Sequence, residues 1–83
     1  MKFSIYKKGW SSKSGCFLSD RAQPPKDYRL YAEIDCYRAV SAARSFGYEI
    51  DKESTRYSAQ QATERIVGSL LRSATPFSVT VKG

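Results

Sequence analysis

Residues 28–47 read YRLYAEIDCYRAVSAARSFG, and the hydrophobic period changes partway along. From Tyr28 to Ile34, Tyr28, Leu30, Ala32 and Ile34 alternate with Arg29, Tyr31 and Glu33. Period-two alternation predicts a half-buried strand. Leu30 and Ile34 are also four apart, a spacing that a helix can use. Asp35 is a good N-cap for the segment that follows, which favours the strand. From Cys36 to Phe46, the residues Cys36, Ala39, Val40, Ala43 and Phe46 fall on one arc of a 3.6-residue wheel. Gly47 stands where a helix C-cap is expected. A strand running into a capped helix predicts a mixed α+β chain.

Upstream, Phe3 and Ile5 alternate with Lys2, Ser4, Tyr6 and Lys8, so residues 2–8 predict a strand. Gly9 ends it, and Gly9 to Gly15 is a serine-rich loop between glycines. Cys16, Phe17 and Leu18 predict a short returning strand. Residues 22–26 (AQPPK) form a connector, because neither proline can donate to a ladder. Downstream, 48–50 is a short strand or an extended linker, and 51–56 is a polar turn. Ser58 and Gln61 have capping-box spacing at the start of a second helix. Its apolar face is Ala59, Ala62, Ile66, Val67, Leu70, Leu71 and Ala74; Gly68 weakens its middle. The helix should stop before Pro76. Phe77, Val79 and Val81 then alternate with Ser78, Thr80 and Lys82, a strand with its apolar side inward. The expected architecture is a small antiparallel sheet with two helices packed on one face. The last strand is expected beside the first, tying down both ends of the chain.

The chain has 83 residues, which bounds it to a single domain, 1–83, with a thin core and no room for two lobes around a cleft. It contains no histidine, which removes the commonest general base and the commonest metal ligand. Its two cysteines make neither a disulfide framework nor a zinc site; Cys36 reads as a small core residue and both thiols as reduced. The acids Glu33, Asp35, Asp51 and Glu53 fall on surface-type segments and do not converge. The five glycines match neither a phosphate-binding loop nor a dinucleotide fingerprint. No catalytic residue, metal or cofactor is expected. No apolar run is long enough for a signal peptide or a membrane span, so the expected location is cytoplasmic.

What remains is a basic, aromatic surface. Fourteen Lys and Arg against eight Asp and Glu give a formal charge of +6. No acid precedes Asp20, and none follows Glu64. If the end strands pair, Lys2, Ser4, Tyr6 and Lys8 share an outward face with Ser78, Thr80 and Lys82. Such a face is either an ordinary solvated one whose lysines deter edge pairing, or a contact surface for an acidic partner. Lys7 and Lys8 belong to the same cationic end, as does Lys13. Trp10 either folds back onto the core or stands out as an anchor. Gln61, Arg65 and Arg72 line the outer side of the second helix; Tyr37 and Arg44 are seven apart on the first. Six tyrosines are too many for so small a core, and exposed tyrosine favours recognition. The expected partner-binding residues are thus Tyr6, Lys7, Lys8, Trp10, Lys13, Tyr37, Arg44, Arg65 and Arg72.

The lysine-rich opening strand (Met1-Lys2-Phe3-Ser4-Ile5-Tyr6) is followed by a strand leading into an alanine-rich helix (Leu30 to Asp35, then Arg38 to Ala43), and a strand closes the chain. In this architecture the chain resembles the small phage-encoded proteins that disable host machinery, anti-CRISPR proteins among them. Many of those are acidic mimics of DNA, and this chain is basic. The resemblance therefore implies occlusion: docking on an acidic or mixed surface of a larger protein or ribonucleoprotein assembly, such as a Cas surveillance complex. If phage-encoded, it would act in the host cytoplasm. It would work as a monomer or a homodimer. The alternative expectation is direct binding of DNA or RNA, although no ribonucleoprotein motif, G-x-x-G clamp or zinc knuckle is present.

Overall fold

The computed structural model describes residues 2–21 and 23–82. Met1 of the opening strand, Ala22 of the connector and Gly83 lie outside them. The order is β1 (Lys2–Lys8), β2 (Cys16–Ser19), β3 (Tyr28–Asp35), α1 (Ala39–Ser45), β4 (Glu53–Ser54), α2 (Ala59–Arg72) and β5 (Ser78–Val81). The five strands form an antiparallel sheet in the order β4-β2-β1-β3-β5. The expected α+β class is observed. The short elements that the sequence left open resolve into pairings with β2. Ile50 bridges Leu18, and β4 pairs with Cys16 and Phe17 inside what reads as a polar turn.

The core lies between the sheet and the helices. Phe3 and Ile5 of β1, Cys16 and Leu18 of β2, and Ala32 and Ile34 of β3 meet Ala39 and Ala43 of α1. Ala59, Ala62, Ile66 and Leu70 of α2 complete it. Small alanines on the inner faces of both helices let them approach a narrow sheet closely. Both cysteines are free and buried.

The strand order corrects the expected pairing of first and last strands. β5 lies beside β3, and β1 is the central strand. The reason is register: Phe3 opposes Ile34 and Ile5 opposes both Leu18 and Ala32, so β1 is apolar toward neighbours on each side. The face expected to be basic is therefore interleaved with acids. Lys2 opposes Asp35, which opposes Ser78; Ser4 opposes Glu33, which opposes Thr80.

A second correction falls within β3. Ile5 opposes Ala32 but Tyr6 opposes Leu30, so Tyr31 is an extra residue, a β-bulge. Ala32 and Ile34 face the helices, whereas Tyr28 and Leu30 share the other face with Tyr6. The strict alternation from Tyr28 to Ile34 is thus split between two faces. On that second side Tyr6, Phe17 and Tyr28 form a chain of tilted rings with centroids 6.2 and 6.1 Å apart. The Tyr6 hydroxyl donates to the Arg21 carbonyl at 3.2 Å.

Helix ends follow local chemistry. Ser58 caps α2, its hydroxyl accepting from the Gln61 N–H at 3.0 Å. The Ser12 carbonyl takes the Gln60 N–H at 3.1 Å, so the β1–β2 loop satisfies a second orphan donor. Asp35 does not cap α1. It ends β3, and the helix starts at Ala39 after a turn in which Ala39 N–H reaches the Cys36 carbonyl. Pairing with Lys2 and Ser78 holds Asp35 in the sheet.

Both helices end in Schellman motifs. Gly47 (φ +87°) donates to Arg44 while Tyr48 reaches back to Ala43. In α2 the left-handed position falls on Ala74 (φ +54°), with Thr75 reaching Leu70. Ala74 is exposed and outside the apolar face expected of it. An L-residue with a Cβ pays a penalty of about 1 kcal/mol there. Ala74→Gly is therefore expected to raise the unfolding free energy by roughly 0.5–1 kcal/mol despite the extra chain entropy. Urea titration followed by circular dichroism would read this; a lowered midpoint would contradict it.

Candidate functional site

Two turns interlock at one end of the sheet. In the first, Ser11 N–H donates to the Lys8 carbonyl, with Gly9 at φ +57°. In the second, Tyr28 N–H donates to the Pro25 carbonyl, with Asp27 at φ +70°. The Gly9 N–H donates to the Asp27 carbonyl at 2.6 Å and joins the two. Glycine suits the first turn because its positive φ carries no Cβ penalty.

Trp10 follows Gly9 and is 79 % exposed. It is not folded back onto the core. The Arg29 guanidinium carbon lies 3.5 Å from its ring centroid. A cation against an exposed indole contributes about 0.5–1 kcal/mol and restrains the ring. Lys8, Lys26 and Arg29 are exposed around this tip. Along the same loop, Lys13 borders a shallow groove with Arg56, Ser58, Gln60, Gln61 and Glu64. The hydrogen bond from Gln60 to Ser12 ties this loop to the start of α2. The result is a projecting indole on a fixed base, with Lys8, Lys26 and Arg29 around it and Asp27 in the adjoining turn.

The structure brings Lys8, Trp10 and Lys13 of the expected contact residues together. It does not bring the others there. Tyr6 is 4 % exposed, packed against Phe17 on the side away from the helices with its hydroxyl on the Arg21 carbonyl, and Lys7, in phase with Phe3 and Ile5 on the helix side, is 9 % exposed. Arg65 is half-buried and donates to the Tyr48 hydroxyl at 3.3 Å, tying α2 to the segment after α1. Burial raises the Tyr48 phenol above its usual pKa, and Arg65 partly opposes this. Arg44 and Arg72 each stand in the last turn of a helix, where a cation complements the dipole. Tyr37 is exposed but precedes α1, so it shares no helix face with Arg44. It follows β3 at the far end of the sheet, about 20 Å from Trp10 at 3.3 Å per residue.

Arg29, Lys26 and Arg56 enter the site without having been expected there. Nothing local in the sequence marks Arg29. Its position beside the tip follows from the β1–β3 register, in which Lys8 opposes Tyr28.

A depression of about 330 Å³ lies between β2 and residues 47–57. Tyr48 and Tyr57 meet edge to face there, with centroids 4.7 Å apart. Its charges offset one another, and Lys52 pairs with Glu49 at 3.6 Å. Cys16 lies at its floor, fully buried, and burial pushes its thiol up to about 11. That thiol is protonated at neutral pH and a poor nucleophile. Among the described residues no three His, Cys, Asp or Glu side chains gather to hold a metal. None of the described helices is long and apolar enough to cross a membrane. Comparison with protein-family models, curated proteins and solved structures finds no significant match.

Proposed function

We propose that the chain is a non-catalytic binding protein that docks through the Trp10 tip on an acidic surface of a larger protein assembly. It acts by covering that surface, as the small phage-encoded inhibitors it resembles do. The observation that carries this reading is an indole left 79 % exposed and braced by Arg29. A solvent-exposed tryptophan on a rigid base loses little conformational freedom when it enters a pocket, and tryptophan and arginine dominate interface hot spots. Lys8, Lys13, Lys26 and Arg29 supply the positive field that steers the encounter with an acidic surface.

A second reading rests on the same residue. Arg29 covers one side of the ring, and the exposed remainder suits stacking on a nucleic-acid base, with the surrounding cations on the phosphates.

Trp10 is the single tryptophan, so its fluorescence reports on the site directly. A target captured from bacterial lysate and identified by mass spectrometry should shift the emission of the wild type to the blue. Calorimetry should show Trp10→Ala weakening that binding by about 30-fold or more, roughly 2 kcal/mol. Arg29→Glu should weaken it as well. Equal affinities for wild type and both variants would overturn the proposal. Oligo-dT decides between the readings. Quenching whose affinity falls by more than about tenfold between 50 and 200 mM salt would favour nucleic acid over an acidic protein surface.

A further inference from the structure

The two edges of the sheet are built differently. At one, β4 is two residues long and flanked by Asp51 and Lys52, a short charged edge that resists pairing. At the other, β5 runs Ser-Val-Thr-Val over residues 78–81, with neither proline nor charge. Val79 and Val81 are 39 % and 57 % exposed, although the alternation predicts that they face inward. They do lie on the helix side, opposite Ile34 and Ala32, but β5 is the outermost strand and remains open there.

The backbone of β5 is also half used. The Lys82 N–H donates to the Tyr31 carbonyl at 2.6 Å, opposite it in register. In an antiparallel ladder, groups that bond to one neighbour alternate with groups that point away. Residues 78, 80 and 82 therefore bond into β3. The N–H and C=O groups of Val79 and Val81 point to the open edge.

We propose that this edge pairs with the β5 edge of a second copy, joining two sheets into one ten-stranded antiparallel sheet. A two-fold axis through Thr80 places Val79 against Val81 of the second copy, and Val81 against its Val79. All four outward N–H and C=O groups on each strand are then satisfied. Thr80 faces Thr80, and the four valines meet on the helix side; both are favourable cross-strand pairs. Lys82 of one copy lands against Ser78 of the other, two strands and about 10 Å from Asp35 and its neighbour Glu33. That places a cation toward an acidic column. The seam is short and falls below the roughly 800 Å² per partner of a standard interface. The dimer is accordingly weak.

The register makes the proposal testable by cross-linking. Residues facing each other in a non-hydrogen-bonded pair have Cα atoms about 4.5 Å apart, within disulfide reach. Thr80→Cys should form a disulfide dimer on mild oxidation. Ser78→Cys should not, because residue 78 opposes residue 82. The native thiols are buried and do not compete. Sedimentation of the wild type should show a concentration-dependent dimer. Val79→Pro removes one outward donor while leaving the β3 ladder intact, and should weaken association at least tenfold. Val81→Lys, which needs no backbone adjustment, should do the same. A wild type monomeric up to about 1 mM, or Thr80→Cys cross-linking no faster than Ser78→Cys, would overturn the proposal. Trp10→Ala should leave the dimer unchanged, which separates this edge from the docking tip.

Discussion

Phe3→Ala is expected to cost about 3–5 kcal/mol of unfolding free energy. Phe3 is fully buried in the central strand, opposite Ile34, with the helices over it. A cavity left by a phenyl ring in so narrow a core cannot be refilled, because the surrounding residues are largely alanines and short aliphatics. A domain of this length has roughly 4–12 kcal/mol in total. The variant should therefore melt at least about 12 °C lower, or fail to fold at room temperature. Thermal unfolding followed by circular dichroism measures this. A loss below about 1.5 kcal/mol would mean that β1 is not the strand on which the core is built.

Gly15→Ala is expected to cost about 2 kcal/mol, while Gly68→Ala is expected to gain about 1 kcal/mol. The same methyl group meets opposite surroundings. At Gly15 a Cβ would lie 2.9 Å from the Ser54 carbonyl oxygen, a backbone atom held by the pairing of β2 with β4. Either that pairing shifts or the strand does. The reduced freedom of the unfolded chain offsets only about 0.5 kcal/mol of this. At Gly68 the nearest atom is the end of the Arg72 side chain at 3.6 Å, an ordinary contact, and alanine is the better helix former. Denaturant titration of the two variants side by side would show midpoints moving in opposite directions. Midpoints moving together would place the β2–β4 contact elsewhere.

The candidate site was partly legible in the sequence. A tryptophan between serines in a glycine-bracketed loop, beside Lys8 and Lys13, is a local signal, and the loop carries it to the surface. Arg29 gave no such signal, since it is near Trp10 only through strand pairing. Tyr6 and Lys7 also misled. Tyr6 alternates with Phe3 and Ile5, a pattern that turns it away from the helices without recording that Phe17 and the Arg21 carbonyl cover that side. Lys7 shares the parity of Phe3 and Ile5 and so falls on the helix side, where it is 9 % exposed. Val79 and Val81 show the converse. Their apolar alternation marks an inward side, but the outermost strand lies beyond the cover of the helices.

The helix caps divide along the same line. Ser58 and Gly47 act through atoms within a few residues of themselves, and both occupy the positions their chemistry suggests. Asp35 has equally good capping chemistry but is held by partners 33 and 43 residues away, Lys2 and Ser78. Short-range periodicity and capping chemistry thus determined the kinds and order of the elements other than β4, which lies where the sequence reads as a polar turn, and most of their ends. Strand order, the bulge at Tyr31 and the choice of buried residues were decided by tertiary structure. Those depend on hydrogen bonds between distant strands, and an alternating pattern records which way a side chain points without recording which strand lies beside it.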